Sequence, residues 1–159
     1  DPYASLDPRM RVGELVAEPL LIHNIGTPKE RTDRVAALFE RVGLSADQME
    51  RYPHEFSGGQ RQRICIARAL ALRPKLIIAD ESVSALDVSV QARLLDLLRG
   101  LVHDLGLAVI IVTHDLAVAR LLSHRMMVMK DGRVVEHGLT DRLLDDPQAP
   151  YTPLLVSSI

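Results

Sequence analysis

Aromatic residues are scarce in this chain, whose 159 residues include no Trp, two Phe and three Tyr. Proteins that bind single-stranded nucleic acid stack bases on aromatic side chains, so this composition disfavours that class. The formal net charge is −2, and so small a charge gives no strong attraction to nucleic acid or to an anionic membrane surface. We therefore expect no nucleic acid among the partners of this protein.

Cysteine and long apolar runs are also rare. The single cysteine, Cys65, excludes a disulfide within the chain and fits a reducing compartment. No run approaches the roughly 18 apolar residues that a membrane-spanning helix needs, and no secretory signal peptide is visible. Because the chain begins with Asp1 rather than Met, we expect it to be the interior of a longer reading frame or a processed piece.

Hydrophobic patterning predicts helices in the first part of the chain. Four prolines interrupt residues 1–28, which should form loop with short helical pieces. Apolar residues at helical spacing predict amphipathic helices over 30–42 and 88–105, each followed by a glycine that ends it. Further helices are expected at residues 46–51, 57–72, 116–122 and 140–144. Thr140 is the expected N-cap of the last of these, and the tail after Pro147 should be irregular.

Strand patterns dominate the second part. Continuous apolar runs at 76–79 and 107–112 predict two strands of a parallel sheet that are buried on both faces. Asp131-Gly132 between two short apolar runs predicts a hairpin. We therefore predict an α/β fold, with a helical subdomain over residues 1–72 and an α/β part with a C-terminal hairpin and tail over residues 73–159.

Two acids, Asp80 and Glu81, directly follow the first predicted strand. Ligands of open α/β sheets bind beyond the carboxyl ends of the strands. An aspartate there can hold Mg²⁺ through water, and an adjacent glutamate can orient and polarise an attacking water. Two acids in a solvated turn would give the same short pattern.

The segment Ser57-Gly58-Gly59-Gln60 opens a predicted helix. Glycines let a backbone approach an anion closely, and the free N–H groups at a helix start favour negative charge. A glycine-rich helix cap without a ligand is the alternative interpretation. His114, after the second predicted strand, could donate a hydrogen bond to developing charge, although such a histidine is often structural. Arg61, Arg63 and Arg68 along the same helix are expected to pair with acids, although Arg61 could lie near phosphate.

The ordered set FSGGQRQR (56–63), LIIADE (76–81), SALD (84–87) and VTHD (112–115) is more specific than any one motif. In this order it closely resembles the ATP-binding subunit of ABC transporters over essentially the whole chain. DPYASLDP (1–8) and the tail around Tyr151 resemble the oligopeptide and dipeptide importers of that family. The resemblance implies the C-terminal half of a P-loop ATPase sheet core behind the helical subdomain.

The family's site residues carry over by motif. Ser57, Gly58, Gly59 and Gln60 match the signature motif, and Ser84 and Asp87 match the D-loop; both motifs contact nucleotide. Asp80 matches the Walker B aspartate that holds Mg²⁺ through water. The resemblance implies Glu81 as the catalytic carboxylate and His114 as the switch histidine. It also implies ATP and Mg²⁺ as cofactors and, as partners, a second ATPase subunit or another copy of the chain together with membrane-spanning permease subunits. The location it implies is cytoplasmic, at the inner face of the cell membrane.

Residues from about 86 onward look closer to the ATP-binding component of the phosphonate C–P lyase system. We state as a hypothesis that the chain is a mosaic joined near the D-loop, which would make the transported solute peptide-like or phosphonate-like. A natural reading frame of the peptide-importer type through both halves would contradict it.

Two departures from the family affect function. No G-x-x-x-x-G-K-[ST] loop occurs in these 159 residues, and Ser82 stands where the family usually has proline. Without the loop's N–H groups and lysine we expect weak or absent ATP binding and no useful hydrolysis by this chain alone. Without the N-terminal strands we expect an open apolar sheet edge, and hence a homo-oligomer or a rearranged, domain-swapped packing.

Two further classes of function fit parts of the pattern. The chain could be a non-enzymatic, self-associating protein that keeps these motifs as relics, which nucleotide binding and turnover would distinguish. DNA-repair and chromosome-maintenance ATPases share the signature and Walker B motifs. Those proteins carry long coiled coils, however, and no sustained heptads occur here.

Overall fold

The computed structural model describes residues 5–81 and 87–157, and these form two compact units that divide after Ile110. The helices of the first unit are α1 (Val12–Ile22), α2 (Pro28–Arg41), α3 (Gly58–Leu70) and α4 (Val88–Leu105). Short 3₁₀ helices span Ala46–Glu50 and Pro53–Glu55. Strand β1 (Leu76–Asp80) pairs in a parallel sheet with β2 (Ala108–Val112). The sequence predicts a different division, between a helical subdomain up to residue 72 and an α/β part after it. That division stays a prediction.

The ends of α2 and α4 follow their sequence signals. At the start of α2, the Thr27 hydroxyl accepts the N–H of Glu30 at 3.3 Å, and the Glu30 carboxylate accepts the N–H of Thr27 at 2.7 Å. This reciprocal pair satisfies two N–H groups that the helix itself leaves unpaired. Gly43 and Gly106 follow α2 and α4 with φ of 76° and 62°, a conformation that glycine adopts without strain.

Helix α1 corrects the prediction of loop with short helical pieces. It runs for 11 residues and contains Pro19. Proline removes one helical hydrogen bond. The helix nevertheless continues through Pro19, because its apolar side chains are buried in the core. Leu15, Val16 and Leu20 are at most 1% exposed, so burial offsets the lost bond.

The core of the first unit lies between α1, α2 and α3 and includes the end of α4. Phe39 and Ile64 are fully buried at its centre, with Phe56 and Leu101 at 4% exposure. Cys65 is half-buried beside this core, and burial raises the pKa of its thiol. The core therefore fixes α3 and the segment that leads into it.

Strands β1 and β2 correct the prediction that both of their faces are buried. Exposure alternates along each strand, and Leu76, Ile78 and Ile110 are 47%, 65% and 44% exposed. Leu76 and Ile78 lie on the same side of β1, and both of these side chains are exposed. This sheet thus has an exposed apolar face, whereas the expected open edge, oligomer and domain swap stay predictions.

The second unit consists of α5 (Leu116–Leu122), β3 (Arg125–Lys130), β4 (Arg133–Leu139), α6 (Thr140–Asp145) and α7 (Thr152–Val156). Strands β3 and β4 form the predicted antiparallel hairpin, from Arg125 opposite Leu139 to Lys130 opposite Arg133. Asp131 and Gly132 join them with φ of 49° and 74°, as a two-residue turn of this kind requires.

Two expectations for this unit are wrong. Thr140 is the first residue of α6 and not its N-cap; it is buried, and its hydroxyl lies 2.8 Å from the Ser123 hydroxyl. The tail contains α7, because Glu136 on β4 organises it. The Glu136 carboxylate accepts the N–H groups of Gln148 at 2.8 Å and Ala149 at 3.1 Å, and the hydroxyl of Thr152.

These contacts make the stability of the second unit depend on pH. The Thr152 hydroxyl and the N–H groups of Gln148 and Ala149 lower the pKa of Glu136 below its usual 4.5. A lowered folded-state pKa stabilises the fold above pH 4.5, and this contribution is lost as the pH falls through the lowered pKa. In urea unfolding across this range, Glu136→Gln should lose less stability on acidification than the wild type. Asp131→Asn, a turn control, should behave as the wild type, and equal losses in all three proteins would contradict the account.

Within the described ranges, no helix is both long enough and apolar enough to cross a membrane.

Candidate functional site

The turn before α3 is held rigidly. Phe56 is 4% exposed in the core, and the side chain of Arg61 reaches back so that its Nε donates to the carbonyl oxygen of Pro53 at 2.8 Å. The Tyr52 N–H donates to the Glu55 carboxylate at 2.8 Å. The chain therefore enters α3 along a fixed path, with Ser57 exposed, Gly58 and Gln60 half-buried and Gly59 buried at the start of the helix.

Ser57 and Gln60 cap α3 reciprocally. The Ser57 hydroxyl accepts the N–H of Gln60 at 3.3 Å, and the Gln60 side-chain oxygen accepts the N–H of Ser57 at 3.0 Å. This arrangement leaves the Ser57 O–H as a donor. The N–H groups of Gly58 and Gly59 have no hydrogen-bond partner among the described residues. One hydroxyl and two amide donors at a helix start form an arrangement suited to an anion.

Gly59 has a second role that its sequence context does not reveal. It is buried, and a Cβ atom built on it would lie 2.4 Å from Cγ1 of Val90 on α4. No side chain fits in that space. The glycine therefore lets the first turns of α3 and α4 pack directly against each other.

Asp80 and Glu81 lie at the carboxyl end of β1, as predicted, and both are exposed. Glu81 has a φ of 46°, a left-handed conformation that is rare for residues other than glycine. Such backbone strain concentrates at functional sites. The strand end therefore presents two carboxylates, the second on a strained backbone.

Asp87 is the N-cap of α4, where its carbonyl oxygen accepts the N–H of Gln91 at 2.8 Å. Its carboxylate is exposed beside the helix start and makes no capping bond. Since Val90 packs on Gly59, Asp87 belongs to the same corner of the first unit as Ser57. Ser84, predicted with it, lies outside the described residues, as does Ser82.

His114 belongs to the second unit, where neighbouring side chains form its turn. Thr113 Oγ1 accepts the N–H of Asp115 at 3.0 Å. Asp115 Oδ1 accepts the N–H groups of Ala117 at 2.9 Å and Val118 at 3.2 Å, and so caps α5. Both flanking residues hold the backbone of His114, whose side chain is exposed.

The structure thus brings Ser57–Gly59 and Asp87 together at the packed starts of α3 and α4, and it places Asp80 beside Glu81 at the end of β1. His114 is placed on its own unit. Sequence reasoning missed Asp115, although an acid just before an apolar helical run is a usual capping signal. It also missed the packing of Gly59, which depends on a residue 31 positions away in the sequence.

The expectation that the helix arginines pair with acids holds for Arg68 and is wrong for Arg63. Arg63 donates to the carbonyl oxygen of Val42 at 2.7 Å, and so satisfies the end of α2. Arg68 does pair with an acid, Glu18, at 3.3 Å, and also donates to the carbonyl oxygen of Ser5. Each of the three arginines therefore donates to a backbone carbonyl oxygen.

Oxygen donors suit Mg²⁺, which keeps several waters and usually binds through one or two carboxylates together with phosphate oxygens. Asp80 offers such a carboxylate on the surface. No group of three His, Cys, Asp or Glu side chains lies within metal-binding reach of one another among the described residues. The residues present therefore fit a metal that arrives with a phosphate ligand.

Comparison with known proteins identifies the class. A sequence model of the ABC transporter family matches residues 2–84, more than half of the chain, and the chain belongs to that family. The dimeric structure of MJ0796, a bacterial ABC transporter cassette, is 35% identical with a TM-score of 0.72, over 85% of this chain and 59% of that one. CbiO1 of Clostridium perfringens, part of the transporter complex cbiONQ, is 30% identical with a TM-score of 0.80, over 92% of this chain and 57% of that one. The predicted fold class, part of a P-loop ATPase core, is confirmed.

Curated relatives are similar along the whole chain. The glutathione import ATP-binding protein GsiA of Pectobacterium atrosepticum is 54% identical over all 159 residues, which are 26% of that protein. The protein of the same name from Salmonella choleraesuis is 55% identical over the same share. The chain therefore spans about a quarter of the length of these relatives. Each match covers this chain on both sides of the D-loop, and the mosaic origin stays a hypothesis.

Proposed function

We propose that this chain is part of the ATP-binding subunit of an importer, and that it supplies the groups that close over and act on a nucleotide. The observation that carries the proposal is the start of α3, where the exposed Ser57 hydroxyl and the N–H group of the half-buried Gly58 form a donor set beside the buried Gly59. The strained Glu81 beside Asp80 adds the acidic half of such a site.

In this proposal the site is shared between two chains. Ser57, Gly58, Gly59 and Gln60 cover an ATP whose phosphates are held by a second ATPase subunit or another copy of the chain. Asp80, Glu81 and His114 act on the nucleotide of their own subunit, with Ser84 and Asp87 between the two sites. Asp80 would hold Mg²⁺ through water, and the ion would supply charge neutralisation at the phosphates.

The relatives suggest what is transported. Two curated proteins more than half identical to this chain carry glutathione import in their names, and glutathione is peptide-like. We propose a small peptide-like solute, with membrane-spanning permease subunits as partners and a cytoplasmic position at the inner face of the membrane.

A chimeric cassette tests the proposal. The segment that precedes the matched region in the Pectobacterium atrosepticum relative is fused ahead of Asp1. This added segment is expected to supply the phosphate-binding loop. Titration calorimetry with Mg-ATP should show micromolar binding to the chimera and none to residues 1–159 alone. Micromolar binding to residues 1–159 that is lost in Ser57→Ala would contradict the requirement for a phosphate loop.

A second candidate function is self-association without catalysis. The exposed apolar side chains of Leu76, Ile78 and Ile110 on the parallel sheet favour it, because such a surface invites contact with another copy. Light scattering on residues 1–159 at high concentration distinguishes the candidates, since a monodisperse monomer would count against self-association.

A further inference from the structure

A cavity of about 440 Å³ lies in the first unit, away from the residues assigned above. It is formed by α2, the ends of α3 and α4, and the turn that enters β1. Its volume falls within the range of small-molecule sites, about 300–1,000 Å³. Part of its lining is apolar and includes Leu38, Leu70, Leu105 and Leu107.

The charges around this cavity are of one sign. Four cations line it, namely Arg34, Arg41, Arg73 and Lys75, and no Asp or Glu of the described residues is among its lining. The side chains of these four make no hydrogen bond or ion pair with the described part of the chain. Elsewhere in the unit, in contrast, Arg61, Arg63 and Arg68 all donate to backbone carbonyl oxygens. The cavity cations are therefore left available to a ligand.

Two of the cations are held close to each other. Burial lowers the pKa of the half-buried Arg34, and the positive charge of Arg73 lowers it further. Arg73 also has a φ of 51° and precedes Pro74. A left-handed conformation is costly for arginine and is disfavoured before proline. Arg73 thus combines repulsion from a neighbouring positive charge with a strained backbone. Strain of this kind concentrates at ligand sites.

We propose that this cavity binds a small organic anion that carries at least two negative charges on an apolar body. Guanidinium groups bind phosphate and carboxylate oxygens in pairs, and four cations without a counter-charge favour a dianion. The leucines in the lining favour an apolar body over a bare ion. The proposal uses none of the nucleotide-facing residues and does not rest on the proposed function.

The test is titration calorimetry on residues 1–159 with four probes: 2-naphthyl phosphate, naphthalene-2,3-dicarboxylate, uncharged 2-naphthol and inorganic phosphate. A naphthyl dianion should bind with one-to-one stoichiometry, and more tightly than naphthol or inorganic phosphate. Tighter binding of 2-naphthyl phosphate would indicate an organic phosphate as the ligand. Tighter binding of naphthalene-2,3-dicarboxylate would indicate a polycarboxylate. Equal affinity for naphthol and the dianions, or no binding of any dianion, would overturn the proposal.

Variants locate the site. Arg34→Gln and Arg73→Gln should each weaken binding of the dianion about tenfold or more, since each removes a charge-assisted bond. Arg93→Gln, which removes an exposed charge on α4 that does not line the cavity, should stay within about twofold. Equal weakening in all three variants would overturn the site.

Thermal unfolding of the free variants separates binding from folding. Removing one of two neighbouring like charges should leave the Tm of Arg34→Gln and Arg73→Gln unchanged or higher. A clear fall in Tm would show that the cations stabilise the fold and would overturn the proposal. A raised Tm together with lost dianion binding is the result that the proposal predicts.

Discussion

Glu81→Gln in the chimeric cassette is expected to lower ATP turnover about 10²–10⁴-fold, the usual contribution of a positioned general base. The amide has nearly the same shape as the carboxylate but cannot polarise a water. Because Glu81 is exposed at the end of β1, the change should leave folding intact. Mg-ATP binding should persist, since Glu81 does not hold the phosphates in this account.

Turnover is measured by phosphate release and binding by calorimetry, on the same preparations. Asp96→Asn is the matched control, an exposed carboxylate on α4 changed to an amide, and it should leave both quantities unchanged. Turnover of Glu81→Gln within a few-fold of the parent would show that Glu81 is not the catalytic carboxylate.

Gly59→Ala is expected to destabilise the first unit by about 1–3 kcal/mol, the usual cost of overpacking. The added methyl group would lie 2.4 Å from Cγ1 of Val90, and a β-branched side chain has few alternative rotamers. Either α3 or α4 must shift, and both carry residues assigned to the nucleotide-facing site. We therefore expect the loss of stability to be accompanied by weaker closure over ATP in the chimera.

Urea unfolding with a double-mutant cycle measures this effect. Val90→Ala should recover much of the loss in the Gly59→Ala background, because it removes the clashing atoms. Gly100→Ala is the control, since it lies within α4 and a Cβ there meets nothing within 4 Å. It should stabilise the helix by about 0.5–1 kcal/mol. Equal effects of Gly59→Ala and Gly100→Ala would contradict the packing role.

Elements with a strong local signal were predictable from the sequence. Helix α4 has both of its predicted bounds, and the turn at Asp131 and Gly132 joins the two strands as predicted. Helix α1 was not predictable from proline content, because its stability comes from burial of Leu15, Val16 and Leu20 against distant segments. Tertiary packing overrode the local preference there.

The candidate site was likewise predictable from the sequence only in part. The order of the motifs along the sequence was enough to select Ser57, Asp80, Glu81 and His114 as candidate site residues. They could not show that Gly59 contacts Val90, because that contact depends on how two helices pack. The cationic cavity is equally invisible in the sequence, since Arg34 and Arg73 come together only through the fold.

The central claim is that residues 57–60 face a nucleotide held by another chain. A photoreactive ATP analogue, with its reactive group on the γ-phosphate, tests it directly in a mixture of two chimeric cassettes. One carries an isotope label, a disabled phosphate loop and intact residues 57–60, and the other carries an intact loop. After trypsin digestion, the account predicts photoproduct on the peptide of residues 52–61 from the loop-disabled chain. Photoproduct confined to peptides of the chain with the intact loop would contradict it.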